Sequence, residues 1–91
     1  MNYEKEAKRL KLKFKHIRYN EEFGVFEYLT REYTSKIGVI RINYNRTSKY
    51  DVIINQFEDE NPIPEFFTKK KALIDFLVSV DAKYVQKYWL E

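Results

Sequence analysis

Ile37-Gly-Val-Ile-Arg-Ile-Asn-Tyr44, then Asn45-Arg46-Thr47-Ser48-Lys49, then Tyr50-Asp-Val-Ile-Ile-Asn-Gln-Phe57 is the stretch on which the fold turns. Both outer runs are rich in β-branched and aromatic residues and read as strands. The polar run between them reads as a turn. A connection this short predicts an antiparallel pair. Alternation assigns the faces of the first run. Gly38, Ile40, Ile42 and Tyr44 share one face, while Ile37, Val39, Arg41 and Asn43 share the other. The first face is the more apolar and is expected to meet the helices.

Working outward, residues 23–33 (Phe-Gly-Val-Phe-Glu-Tyr-Leu-Thr-Arg-Glu-Tyr) read as a third strand, joined through the turn Thr34-Ser35-Lys36. Residues 23–57 therefore predict a three-stranded antiparallel meander. Residues 58–67 are an acidic crossover in which Pro62 and Pro64 keep the chain extended. Residues 68–90 read as helical. Thr68 is the expected cap, Leu73, Ile74, Phe76, Leu77 and Val80 the buried side, and Asp81 re-caps a second short helix carrying Val85, Tyr88, Trp89 and Leu90.

At the other end, Tyr3, Ala7, Leu10, Phe14 and Ile17 form one stripe of an amphipathic helix, with Asn2 as N-cap and Glu4 and Glu6 at the positive end of its dipole. Leu10, Leu12, Phe14 and His16 also alternate with Lys11, Lys13 and Lys15, which reads as an edge strand. Helix is expected to about residue 12, with both readings open beyond it. The whole is a single α+β domain spanning residues 1–91, in the order α-β-β-β-α-α, with helices on one face of the sheet.

Composition narrows the function. The chain has 91 residues, 44% of them apolar, with eight Tyr, seven Phe and one Trp, enough for one dense core. It has no Cys, which excludes disulfides and thiolate metal centres. No apolar run approaches the roughly 20 residues of a membrane span, and the basic N-terminus lacks a signal-peptide apolar region. A cytoplasmic location is the expectation. The abundance of Lys, Asn, Ile, Tyr and Phe implies A/T-rich codons, as in phages and mobile elements of low-GC bacteria.

The charge is focused. Residues 1–19 carry Lys5, Lys8, Arg9, Lys11, Lys13, Lys15 and Arg18 against Glu4 and Glu6, a net +5 in a chain whose total is +3. Such density attracts phosphate backbone or an acidic protein groove; the plain alternative is a solvated helix face. A second basic run, Lys69-Lys70-Lys71, opens the predicted helix, where acids are the favoured residues. Lysines at a helix start suit phosphate, although Glu58, Asp59, Glu60 and Glu65 upstream would neutralise them. Tyr28, Tyr33, Tyr44 and Tyr50, with Arg41 and Arg46 nearby, could stack bases, anchor a protein interface, or simply pack across strands. His16 is the only His and has no adjacent ligand or partner. No paired carboxylates, phosphate-binding loop or nucleophile motif occurs. Neither a cofactor nor a metal is expected.

Three resemblances follow. The helix, three strands and helix, with a Lys-rich turn opening the last helix, are similar to double-stranded RNA-binding domains. Phe67-Thr68-Lys69-Lys70-Lys71-Ala72 resembles the "F-x-T-K-x-x-A" ending of the arm-DNA-binding domains of phage integrases. In size and element order the chain also resembles small phage-encoded inhibitors of the CRISPR nuclease Cas9, which are not enzymes and mimic DNA or block its binding cleft. That last resemblance implies an anti-CRISPR-like accessory protein occluding a nucleic-acid-handling host protein, such as a CRISPR effector. The contact residues would be the N-terminal Lys and Arg with Arg41 and the sheet tyrosines. The alternative is direct DNA or RNA binding through the N-terminal cations and Lys69–Lys71. A third expectation is an interaction protein with neither activity.

Overall fold

A computed structural model describes residues 1–12, 16–28, 30–45 and 49–87. The order is α1 (Tyr3–Arg9), β1 (His16–Asn20), β2 (Val25–Tyr28), β3 (Thr30–Thr34), β4 (Gly38–Asn45), β5 (Lys49–Gln56), β6 (Ile63–Phe67), α2 (Lys70–Ser79) and β7 (Lys83–Lys87). The α+β class holds. The meander is larger than three strands: β6-β5-β4-β3-β7 form one five-stranded antiparallel sheet, and β1-β2 form a separate two-stranded ribbon.

The alternation in residues 37–57 locates the core. Ile40 and Ile42 on β4, and Tyr50, Val52 and Ile54 on β5, are buried beneath the helices, whereas Arg41, Asn43, Ile53 and Asn55 face outward. Arg31 and Tyr33 extend the inner face onto β3. Leu73, Ile74 and Leu77 of α2 close over it, and each such side chain stabilises the fold by about 1.5–3 kcal/mol when fully buried. Leu10 and Leu12 complete the core from the end of α1.

Four expectations about the elements are corrected. The predicted strand over residues 23–33 breaks in two, because β2 pairs with β1 whereas β3 pairs with β4 and β7. The acidic crossover contains β6, whose Ile63 and Phe67 turn inward; Phe67 stacks on Phe76 at 5.5 Å between ring centres. Pro64 lies opposite Ile53 on this edge strand, the setting in which a proline's missing donor costs no ladder bond. The predicted second C-terminal helix is β7 instead, returning beside β3 with Tyr84 edge-on to Tyr33 at 5.9 Å. Residues 88–91, with Tyr88, Trp89 and Leu90, lie outside the described residues. Lastly, α2 is capped by Lys69 rather than Thr68, with no side-chain capping bond.

Both helices end in the same way, which explains the failed helix predictions. After α1, Lys11 takes φ +56°, Lys11 N donates to the Lys8 carbonyl and Leu12 N to the Ala7 carbonyl. After α2, Asp81 takes φ +54°, Asp81 N donates to the Val78 carbonyl and Ala82 N to the Leu77 carbonyl. These are paired Schellman closures. Asp81 therefore ends one helix and starts no other. The α1 stripe stops at Leu10, so Ile17 belongs to β1 rather than to the helix, and Phe14 is outside the described residues. A non-glycine residue in this left-handed conformation costs roughly 1–2 kcal/mol, less for Asp.

The path of α2 decides which elements become neighbours. It leaves one sheet edge at β6 and delivers the chain to the opposite edge at β7. Five strands span about 19 Å and ten helical residues about 15 Å, so α2 covers most of the inner face and its flanking residues complete the passage from edge to edge. α1 lies against it: the Tyr3 hydroxyl donates to Asp75 Oδ1 at 2.8 Å, and Lys71 Nζ sits 5.5 Å from the centre of the Tyr3 ring.

Candidate anion-binding groove

Packing α1 beside α2 brings the two basic stretches of sequence together. A groove of about 660 Å³ opens between α1, the start of α2 and the start of β3. Lys8 and Lys11 line it from α1 and its closure, Lys70 from the first turn of α2, and Arg31 from β3. Ala7 and Leu12 supply apolar wall, and Glu4 is the one acidic group lining it among the described residues. Leu12 and Arg31 are 2% and 5% exposed and form its base, while Lys8, Lys11 and Lys70 are open to solvent.

The base is rigid because the core holds the end of α1 by its carbonyls. Arg31 Nε donates to the Lys11 carbonyl at 2.9 Å, and the Tyr33 hydroxyl donates to the Leu10 carbonyl. Helix ends leave such carbonyls without intrahelical partners, so two inward-facing residues of β3 complete α1. A guanidinium at a helix C-terminus also meets the favourable end of its dipole. Burial pushes the Tyr33 hydroxyl well above the usual tyrosine range; Arg31 opposes this and Tyr84 adds to it. Donation to Asp75 raises the Tyr3 hydroxyl as well.

Other expected contact residues have structural work. Arg9 pairs with Glu6 at 2.8 Å and donates from Nη1 to the Ala82 carbonyl at 2.8 Å, which ties α1 to the start of β7. Arg41 pairs with Glu32 across β3 and β4 at 3.1 Å. Tyr44 packs beside Tyr50 at 5.3 Å, half-buried. Lys5, Lys69 and Lys71 are exposed, with Lys71 held over Tyr3. Arg18 and His16 belong to β1, in the two-stranded ribbon rather than in α1; Lys13, Lys15 and Arg46 lie outside the described residues. Thus Lys8, Lys11 and Lys70 are the expected cations that meet in one concavity. Arg31 was not anticipated. Its signal was present: a charged residue two positions from Tyr33 on the inward face of a strand.

The opposite, outer face of the sheet carries a shallow apolar depression of about 480 Å³ beside Ile53, Pro64 and Phe66, with Phe66 62% exposed. Among the described residues no group of three or more His, Cys, Asp or Glu could hold a metal ion. Among them, too, no helix is long and apolar enough to cross a membrane. Comparison of the chain with protein-family models, with curated proteins and with solved structures finds no match.

Proposed function

We propose that this protein is a non-enzymatic polyanion-binding protein that holds nucleic-acid backbone across the α1–α2 face. The observation carrying this reading is the convergence of Lys8, Lys11 and Lys70, drawn from both basic stretches, on one groove with Arg31 at its base. Lys69 and Lys71 flank Lys70 in the chain, and Lys5, Lys69 and Lys71 are exposed. Phosphate neutralisation by such a surface makes binding fall steeply with salt, by about 0.9 in log–log slope per contacted phosphate on duplex DNA. The test is titration of the protein against labelled double-stranded DNA, single-stranded DNA and double-stranded RNA at two salt concentrations. Tight, salt-sensitive binding supports the reading; no binding even at low salt sinks it.

A second reading rests on the outer sheet face. Exposed Ile53 and Phe66 beside the Arg41–Glu32 pair form an amphipathic surface of the kind that contacts proteins. On this reading the protein is a phage or mobile-element accessory factor that binds and blocks a nucleic-acid-handling host protein, as an anti-CRISPR inhibitor would. It requires that Phe66→Glu abolish capture of that partner while leaving nucleic-acid affinity unchanged. Capture that survives Phe66→Glu and is lost on Lys70→Glu would move the interface to the groove.

A further inference from the structure

Resting on the polyanion reading, we infer that the groove is an end-binding site: it takes a phosphomonoester dianion, the terminal phosphate of a nucleic-acid strand or of a free nucleotide, in preference to an internal diester.

Charge is the first argument. Among the described residues, Lys8, Lys11, Lys70 and Arg31 share the groove with Glu4, a formal excess of three positive charges in one concavity. An internal phosphodiester brings one negative charge, whereas a phosphomonoester brings about 1.5–2 near neutral pH, with three acceptor oxygens. Cations arriving from three elements around a hollow suit a compact dianion better than a linear track of single charges. The volume of about 660 Å³ falls among clefts that hold small ligands, about 300–1,000 Å³.

Direction is the second argument. Glu4, Lys8 and Lys11 follow one another along a single stripe of α1 and its closure, at i, i+4 and i+7. A strand continuing along that stripe from the lysines meets a carboxylate one turn further on. A terminal phosphate stops before it. Glu4 thus penalises passage along the stripe more than termination before it.

Preorganisation is the third. The Arg31 guanidinium is held by Nε donation to the Lys11 carbonyl and by burial in the core. Lys11 keeps a left-handed backbone, φ +56°, at a closure where glycine is the ordinary residue.

The test is competition anisotropy at low salt. One oligonucleotide is compared with and without a 5′-phosphate and with and without a 3′-phosphate, beside a nucleoside monophosphate and inorganic sulfate. The expectation is at least about tenfold tighter binding of a phosphorylated end, lost on Lys70→Ala, with the preference narrowed by Glu4→Gln through a gain for unphosphorylated ends. Circular dichroism confirms that both variants fold. A monophosphate competing as well as the phosphorylated oligonucleotide makes the ligand a free nucleotide; weaker competition makes it a strand end, and both outcomes support the inference. Equal affinity for phosphorylated and unphosphorylated ends overturns it while leaving backbone binding intact. No affinity for any nucleic acid overturns the backbone reading beneath it.

Discussion

Tyr33 carries two functions in one side chain. Its ring fills the centre of the core and its hydroxyl closes the α1 carbonyl at Leu10. Replacing Tyr33 by Phe keeps the ring and leaves that carbonyl without its donor, at a cost of about 1–3 kcal/mol. The same residue sets an alkaline limit. Its folded-state hydroxyl titrates above the ordinary value of 10.0 because burial disfavours the phenolate. The stabilisation tied to the neutral form is therefore complete below that pH and drains away above it. Denaturation midpoints measured from pH 8 to 11 should fall beyond pH 10, and Tyr33→Phe should flatten that decline although it starts less stable. Gly38 is a second such position. Its φ of +152° and the Asn55 carbonyl oxygen, 2.1 Å from where a Cβ would sit, leave no room for a side chain. Gly38→Ala should cost about 2–3 kcal/mol by urea titration, since the obstacle is the backbone of β5 and cannot rotate away.

Among the elements, α2 is the one whose local chemistry is least favourable. Its N-cap is Lys69, which makes no capping bond, and its first turn holds no acid. Lys69→Asp supplies both a capping oxygen and a charge suited to the dipole, and should stabilise the protein by about 1 kcal/mol. A thermal melt checks this; an unchanged or lowered midpoint would mean that the first turn is held by something other than its cap. Legibility followed the same divide between local and distant causes. β4 and β5 were readable because alternation in Ile40, Ile42, Val52 and Ile54 is a property of the strand itself. β7 was not, because Val85, Tyr88, Trp89 and Leu90 also fit a helix spacing. What makes residues 83–87 a strand is the open edge of β3, half a chain away in sequence. β6 was read correctly as extended, yet its pairing stayed hidden because two prolines argue against a ladder and only an edge position reconciles them. The two basic stretches were visible, but their meeting depends on where α2 crosses the sheet.

Taken as a whole molecule, the groove joins residues that belong to opposite ends of the chain. Lys8→Glu and Lys70→Glu should therefore behave as changes to one site. Each is expected to weaken nucleic-acid binding and to reduce the salt slope by about 1, and the double variant should show an interaction energy of at least about 0.5 kcal/mol rather than simple addition. Full additivity in a double-mutant cycle would mean that the two lysines meet separate phosphates on a broad surface.

The attachment of α1 also has a temporal side. Seven residues are too few to hold a helix in isolation, and the contacts that hold this one are remote: Tyr3 to Asp75 spans 72 positions and Arg9 to Ala82 spans 73. At about 5–20 residues per second of synthesis, the second interval alone occupies roughly 4–15 s on the ribosome. Through that delay Lys8 and Lys11 ride on an unformed segment and Lys70 has no neighbour to face. A nascent chain surrounded by ribosomal RNA thus offers scattered charges rather than a pocket, and the groove exists only once both ends of the chain have met.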